Sequence, residues 1–148
     1  MSEVIPGKKI AAQINKKTKQ IIESVPASKG QPRLDVVIAS DDPSTKKYVQ
    51  MKKKIAEQLG IWVQVSEFSP SNPAIAIGRD IRQLATHPTN DGVLIQLPFY
   101  DYLFKQTQDI IEYLPYKKDV DGLTATQQGL SMHLIEGSFP PAVVEAII

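Results

Sequence analysis

Runs of β-branched residues alternate with amphipathic stretches along this chain, and that alternation constrains its fold more than any other feature. Residues 33–40 (RLDVVIAS) read as a buried strand, because Val and Ile dominate them. Residues 61–68 (IWVQVSEF) alternate apolar and polar side chains and read as a second strand. A turn at Asp91-Gly92 leads into a short apolar strand over 93–97. Helical patterns separate these strands, one from Asp42 to Gly60 and one from Asn72-Pro73 to about Thr86. Another opens at Pro6-Gly7 and runs to about Val25, marked by Ile10, Ile14, Ile21 and Ile22. Residues 103–114 also read as helix, and 26–32 and 115–124 as loops. Strands that alternate with helices predict a three-layer α/β/α fold with a mostly parallel sheet covered on both faces. Ligands of such sheets bind outside the carboxyl ends of the strands. The polar segments DDPST, QLPFY and KKDVDGL are the ones that would form that rim.

The 148 residues suffice for one domain with a core. With 17 basic and 16 acidic residues the formal net charge is +1, which gives no electrostatic case for nucleic acid or an anionic membrane. The absence of cysteine excludes disulfides and thiolate metal sites. No apolar run is long enough to span a bilayer, and MSEVIPGKKIAAQI has neither a secretory core nor transit-peptide character. A cytoplasmic protein is the expectation.

The helical pattern after Asp42 carries an unusual lysine. Asp42 suits the cap, Pro43 the first turn and Gly60 the stop. Tyr48, Lys52, Ile55 and Leu59 recur at helical spacing, so Lys52 is expected on a stripe whose other members favour burial. Loss of hydration would lower its pKa unless an acid pairs with it, and such a lysine can move protons near neutral pH. From the helix alone, the plainer reading is a lysine that snorkels past the stripe. Lys46, Lys47, Lys53 and Lys54 read as a solvated basic face that could attract an anionic ligand tail.

Other residues invite competing readings. Tyr48 and Lys52 have the Tyr-x-x-x-Lys spacing of short-chain dehydrogenases, but no G-x-G-x-x-G accompanies them. Gln96 ends an apolar strand, where its amide either satisfies loop backbone or reaches Lys52 or a ligand. Asp119 and Asp121 either form an Asx-type turn or accept N–H bonds from a heterocycle. Two carboxylates alone do not make a metal site, and none is expected. His87 and His133 are isolated and read as surface residues.

Three segments together resemble the bifunctional methylenetetrahydrofolate dehydrogenase/methenyltetrahydrofolate cyclohydrolase family. That family shows S-x-x-Y-V-x-x-K-x-K on a helix, G-x-L-V-Q-L-P at a strand end, and K-D-V-D-G in a loop. Here the corresponding residues run from Thr45 through Tyr48, Val49 and Lys52 to Lys54, then Gly92 to Pro98, then Lys118 to Gly122. The resemblance implies that Lys52 is catalytic, that Gln96 contacts and tunes it, that Tyr48 stacks on the folate ring system and that Asp121 hydrogen-bonds the pterin. It also implies substrate contacts from Ile95, Leu97 and Pro98. This agreement with the residues already singled out moves Lys52 from the plain reading to the catalytic one.

The resemblance further implies a tetrahydrofolate derivative as substrate and a homodimer. It implies NADP or NAD, bound by a Rossmann domain that this chain lacks. Residues 1–140 are then the folate-binding catalytic domain, and 141–148 start a connecting helix. Two departures stand out. Gln127 replaces an expected Asn, and the segment from Pro141 to Ala146 keeps only the first proline of the family's P-C-T-P-x-G. A natural short protein that only binds folates, or an unrelated α/β interaction module, are the alternatives.

Overall fold

The computed structural model describes residues 6–141. Three strands, β1 (Arg33–Ile38), β2 (Trp62–Glu67) and β3 (Gly92–Gln96), form one parallel sheet in the order β2-β1-β3. In register, Val36 of β1 lies beside Val65 on one side and Leu94 on the other. The helices are α1 (Gly7–Ser24), α2 (Pro43–Gln58), α3 (Ala74–Thr86), α4 (Thr107–Ile111) and α5 (Ala125–Met132).

Alternation along the central strand divides the core in two. Val36 and Ile38 point to one face, where they pack with Val49 of α2 and Val63 of β2. Val37 and Ala39 point to the other, where Ile77 and Ile81 of α3 and Ile110 of α4 cover them. The period of two in β1 thus requires helices on both faces, as expected of a parallel sheet. Each fully buried aliphatic side chain contributes roughly 1.5–3 kcal/mol.

The ends of α2 follow the sequence closely. The Asp42 carboxylate accepts from the Thr45 amide at 2.7 Å and from its hydroxyl at 2.8 Å. At the other end Gly60 has φ +91°, and the amides of Gly60 and Ile61 donate to the carbonyls of Glu57 and Ala56. The stripe that α2 buries differs from the expected one. Thr45 and Val49 face the sheet, while Tyr48 and Ile55 are exposed and Leu59 is half-buried. Thr45 and Ala56 are small enough for the helix to approach the sheet closely, and Tyr48 is too bulky to take their place.

Two other segments depart from expectation. Residues 101–106 form a 3-10 helix, and only the short α4 follows, where one helix over 103–114 was expected. Residues 115–124 contain a 3-10 turn (Tyr116–Lys118) and a bridge from Asp119 to Val93 of β3. Gly92 permits this packing, since a Cβ there would collide with Val120. The proposed connecting segment beyond Pro141 lies outside the described residues.

The strand order fixes where a ligand can enter. The chain leaves β1 for β2 on one side, whereas after β3 it returns beside β3 at the Asp119–Val93 bridge, and ligands of such sheets enter at the carboxyl ends of the strands where connections diverge. The segments after these two strands are DDPST and QLPFY.

Candidate active site

Gln96 is the last residue of β3, and its side-chain amide is held at both ends. Its Nε2 donates to the Leu97 carbonyl at 2.7 Å, which leaves Oε1 to accept from Lys52 Nζ at 3.1 Å. Both readings of Gln96 therefore describe it, since it satisfies loop backbone and meets the lysine. Lys52 reaches this position from the third turn of α2, at the border of the buried stripe. One turn earlier, the Tyr48 ring centroid lies 4.8 Å from Lys52 Nζ, within cation–π range.

The two aspartates of the KDVDG loop divide their tasks. Asp119 is 1% exposed, and its carboxylate accepts from the Thr124 amide at 2.7 Å. Thr124 Oγ1 in turn accepts from the Gln127 amide and caps α5. Asp119 is thus the turn-forming residue, anchored to β3 through Val93. Asp121, two residues on, lies on the cleft side of the turn.

A cleft of about 330 Å³ is lined by Tyr48, Lys52, Ile95, Gln96, Leu97, Asp121 and Leu123. Every residue to which the family resemblance gave a role in the site lines it except Pro98, which follows a cis peptide bond and is exposed. Leu123 was not singled out. It adds an apolar wall, and its only signal was its place directly after the KDVDG motif. Burial pushes the Lys52 ammonium below the ordinary lysine value, and the charge of Asp121 acts in the opposite direction. The arrangement joins an amine of lowered basicity, a neutral amide that orients it, a carboxylate and an exposed aromatic face. Such a site can take a flat heterocycle with N–H groups and move a proton at one of its carbons.

Among the described residues no group of three His, Cys, Asp or Glu side chains could hold a metal ion. His87 and His133 are both exposed. No helix among the described residues is long and apolar enough to cross a membrane.

Residues 5–121 match the family model for the tetrahydrofolate dehydrogenase/cyclohydrolase catalytic domain. The chain belongs to this family. The bifunctional protein FolD of Halothermothrix orenii is 30% identical over 152 aligned positions, covering 99% of this chain and 53% of that protein. The crystal structure of the Campylobacter jejuni FolD methylenetetrahydrofolate dehydrogenase/cyclohydrolase superposes with a TM-score of 0.84 at 27% identity, covering 91% of this chain and 47% of that one. The Trypanosoma brucei dehydrogenase-cyclohydrolase, complexed with NADP and an inhibitor, shares the fold with a TM-score of 0.88 at 21% identity over 99% of this chain and 50% of that one. The chain spans about half the length of the curated relatives it matches. Family membership sets aside the unrelated interaction module and the short-chain dehydrogenase reading of Tyr48 and Lys52.

Proposed function

We propose that this chain is the folate-binding, catalytic half of an enzyme with two activities. It oxidises 5,10-methylenetetrahydrofolate to the methenyl cation and hydrolyses that cation to 10-formyltetrahydrofolate. The observation that carries this reading is the Lys52–Gln96 hydrogen bond, which sits in a cleft beside Asp121 and Tyr48. Tyr48 stacks on the folate, Asp121 accepts N–H bonds from the pterin, and Ile95, Leu97 and Pro98 supply apolar contacts. Residues 1–140 form this domain, and 141–148 lead toward the rest of the protein, a cytoplasmic homodimer.

The hydrolytic step uses groups of this chain. The methenyl carbon, shared by N5 and N10, is already an electrophile. Water adds its oxygen to that carbon, and the neutral amine of Lys52 takes the departing proton. The hydroxyl of the adduct then loses its proton as the bond from carbon to N5 breaks. The Lys52 ammonium returns a proton to N5, and the formyl group stays on N10. Of the two water protons, one ends on N5 and one in solvent. A lysine of lowered basicity suits this work, because in its neutral form it activates water without repelling the cation. Gln96 orients the amine without fixing its proton, as a carboxylate would.

A dinucleotide does not fit the turn between β1 and α2. Its pyrophosphate needs a glycine-rich turn and free amides at a helix start. The turn between β1 and α2 reads Ala39-Ser40-Asp41-Asp42-Pro43, and the Asp42 carboxylate already takes the Thr45 amide. We therefore assign no residue of this chain to NADP or NAD and place the hydride acceptor in the half that the longer relatives possess. The 148 residues alone are then not competent for the oxidation.

Calorimetric titration with 5,10-methenyltetrahydrofolate, or with a stable folate analogue, tests the proposal. The wild-type chain should bind, and Asp121→Ala should weaken binding roughly tenfold or more, the value of a charge-assisted hydrogen bond. Equal affinity in both forms would remove Asp121 from the site.

A further inference from the structure

The two edges of the sheet differ. On the outer side of β3 the chain comes back, and Asp119 bridges to Val93. Among the described residues β2 pairs only with β1, so its other side is open. The Trp62 amide donates to the Pro32 carbonyl, and the Phe68 amide donates to the Ile38 carbonyl. Parallel ladders repeat such bonds at every second residue, so Gln64 and Ser66 also turn their backbone to β1. Val63, Val65 and Glu67 therefore turn their N–H and C=O groups outward, where they have no partner among the described residues. Such a row of unpaired groups is a template for another strand. No proline or lysine within β2 blunts it, and Lys46 takes the Glu67 carboxylate at 3.2 Å.

The side chains of this edge select the strand that fits. Val63 packs on the α2 face, and Phe68 belongs to the α3 face. Because α3 packs against β1 and β3, the α3 face of β2 opens into a groove of about 450 Å³. Phe68 and Leu84 give the groove apolar walls, and the Asp80 carboxylate in it has no cationic partner among the described residues. At the other end of β2, on the same face, stands Trp62, the chain's only tryptophan, 42% exposed. An antiparallel register centred on Val65 sets Val63 against Glu67, Gln64 against Ser66 and Trp62 against Phe68. We propose that β2 pairs in this register with β2 of a second copy about a twofold axis, which joins two sheets into one and seats each Trp62 in the other copy's groove. Every outward N–H and C=O of Val63, Val65 and Glu67 is then bonded. The indole gains apolar walls and, at Asp80, an acceptor for its N–H, as a buried tryptophan requires. A twofold contact demands this kind of self-complementarity, a projecting group and its receptor on one surface. A strand from a different protein would satisfy the backbone and leave the match of Trp62 to the groove unused. The pairing uses residues of this half alone and does not rest on the folate reading.

Sedimentation velocity of the 148-residue chain over a range of concentrations, with tryptophan emission recorded on the same samples, tests the pairing. A dimer should form as concentration rises, and the emission of Trp62 should move to the blue over the same range. Val65→Lys sets two ammonium groups opposite each other on the axis, and it should weaken the dimer roughly tenfold or more. Met132→Lys, at a fully solvated apolar residue outside the sheet, should leave the dimer as it was. The chain has no cysteine, so Val65→Cys adds a single thiol that faces its own copy across the axis. Mild oxidation should link that variant into a dimer much faster than it links Met132→Cys, and this reading stands even if Val65→Lys fails to fold. A chain that stays monomeric, or a dimer whose Trp62 emission does not move, would overturn the proposal. So would a dimer lost in Met132→Lys and kept in Val65→Lys, or equal linking rates in the two cysteine variants.

Discussion

The two ends of the sheet both bury charge, and they treat it in opposite ways. Toward the amino end, Asp35 is fully buried on β1 and takes two guanidinium bonds from Arg33, at 3.0 and 3.1 Å. It also accepts from Asn90 Nδ2 at 2.7 Å, and Arg33 donates to Thr89 while stacking over the Trp62 ring. Each charge there has an opposite charge and further donors or acceptors, with only Asn90 Oδ1 left over among these groups. At the carboxyl end, Lys52 rests on a neutral amide and an aromatic face, with Asp121 acting on it from across the cleft. The first cluster is closed by paired charges and ties β1 to the segment before β3. In the second, a neutral amide is the hydrogen-bond partner of the cation. A buried ion pair is a structural statement, whereas a half-buried cation on a neutral partner is the arrangement that leaves chemistry available.

The contrast yields ordered expectations. The largest effect belongs to Lys52→Met in the full-length protein, which should cut methenyl hydrolysis by roughly 100-fold or more, as loss of a general acid-base group does. Hydrolysis at the wild-type rate would remove Lys52 from the chemistry. Next, Asp35→Ala should destabilise the fold by roughly 3 kcal/mol, because it leaves Arg33 without its buried partner. Denaturant melting reads that loss, and folate affinity in the folded range should stay as it was. Gln96→Glu would make the carboxyl end resemble the amino end. An added carboxylate beside Nζ should raise the Lys52 pKa and slow hydrolysis at neutral pH roughly tenfold or more. A rate profile against pH should show the loss recovered as pH rises.

The smallest effect concerns Asp42, whose carboxyl the Thr45 hydroxyl and amide hold below the ordinary carboxylate range. Because the folded value is the lower one, its contribution is complete above the ordinary range and is lost as pH falls through the folded value. The stability gap between wild type and Asp42→Ala should therefore close in acid, as melting curves across pH would record.

Much of this was legible in the sequence, for reasons that particular residues supply. The β-branched runs gave the three strands to within two residues, since burial on both faces demands such side chains. Asp42, Pro43 and Gly60 marked α2 because caps and stops depend on local chemistry. The meeting of Lys52 with Gln96 was one of several readings that the residues left open, and the family resemblance was what favoured it. The inward face of α2 was not legible. Apolar residues stand on two sides of that helix, and the choice between Val49 and Tyr48 depends on how closely the sheet lets it approach. The split between Asp119 and Asp121 was equally hidden, because it depends on the Val93 bridge and the room left by Gly92. Asp35 sat unnoticed in an apolar run, since its partners Arg33 and Asn90 meet it only in the folded sheet.

The central claim is that Lys52 is a lysine of lowered basicity whose proton a neutral partner leaves movable. Titration of its side-chain ammonium by NMR, with the signal assigned through Lys52→Met, tests it directly. The account predicts a midpoint below that of the exposed lysines, and a further downward shift in Asp121→Asn, where the opposing charge is gone. A Lys52 that titrates together with Lys47 and Lys54, unmoved by Asp121→Asn, would contradict it.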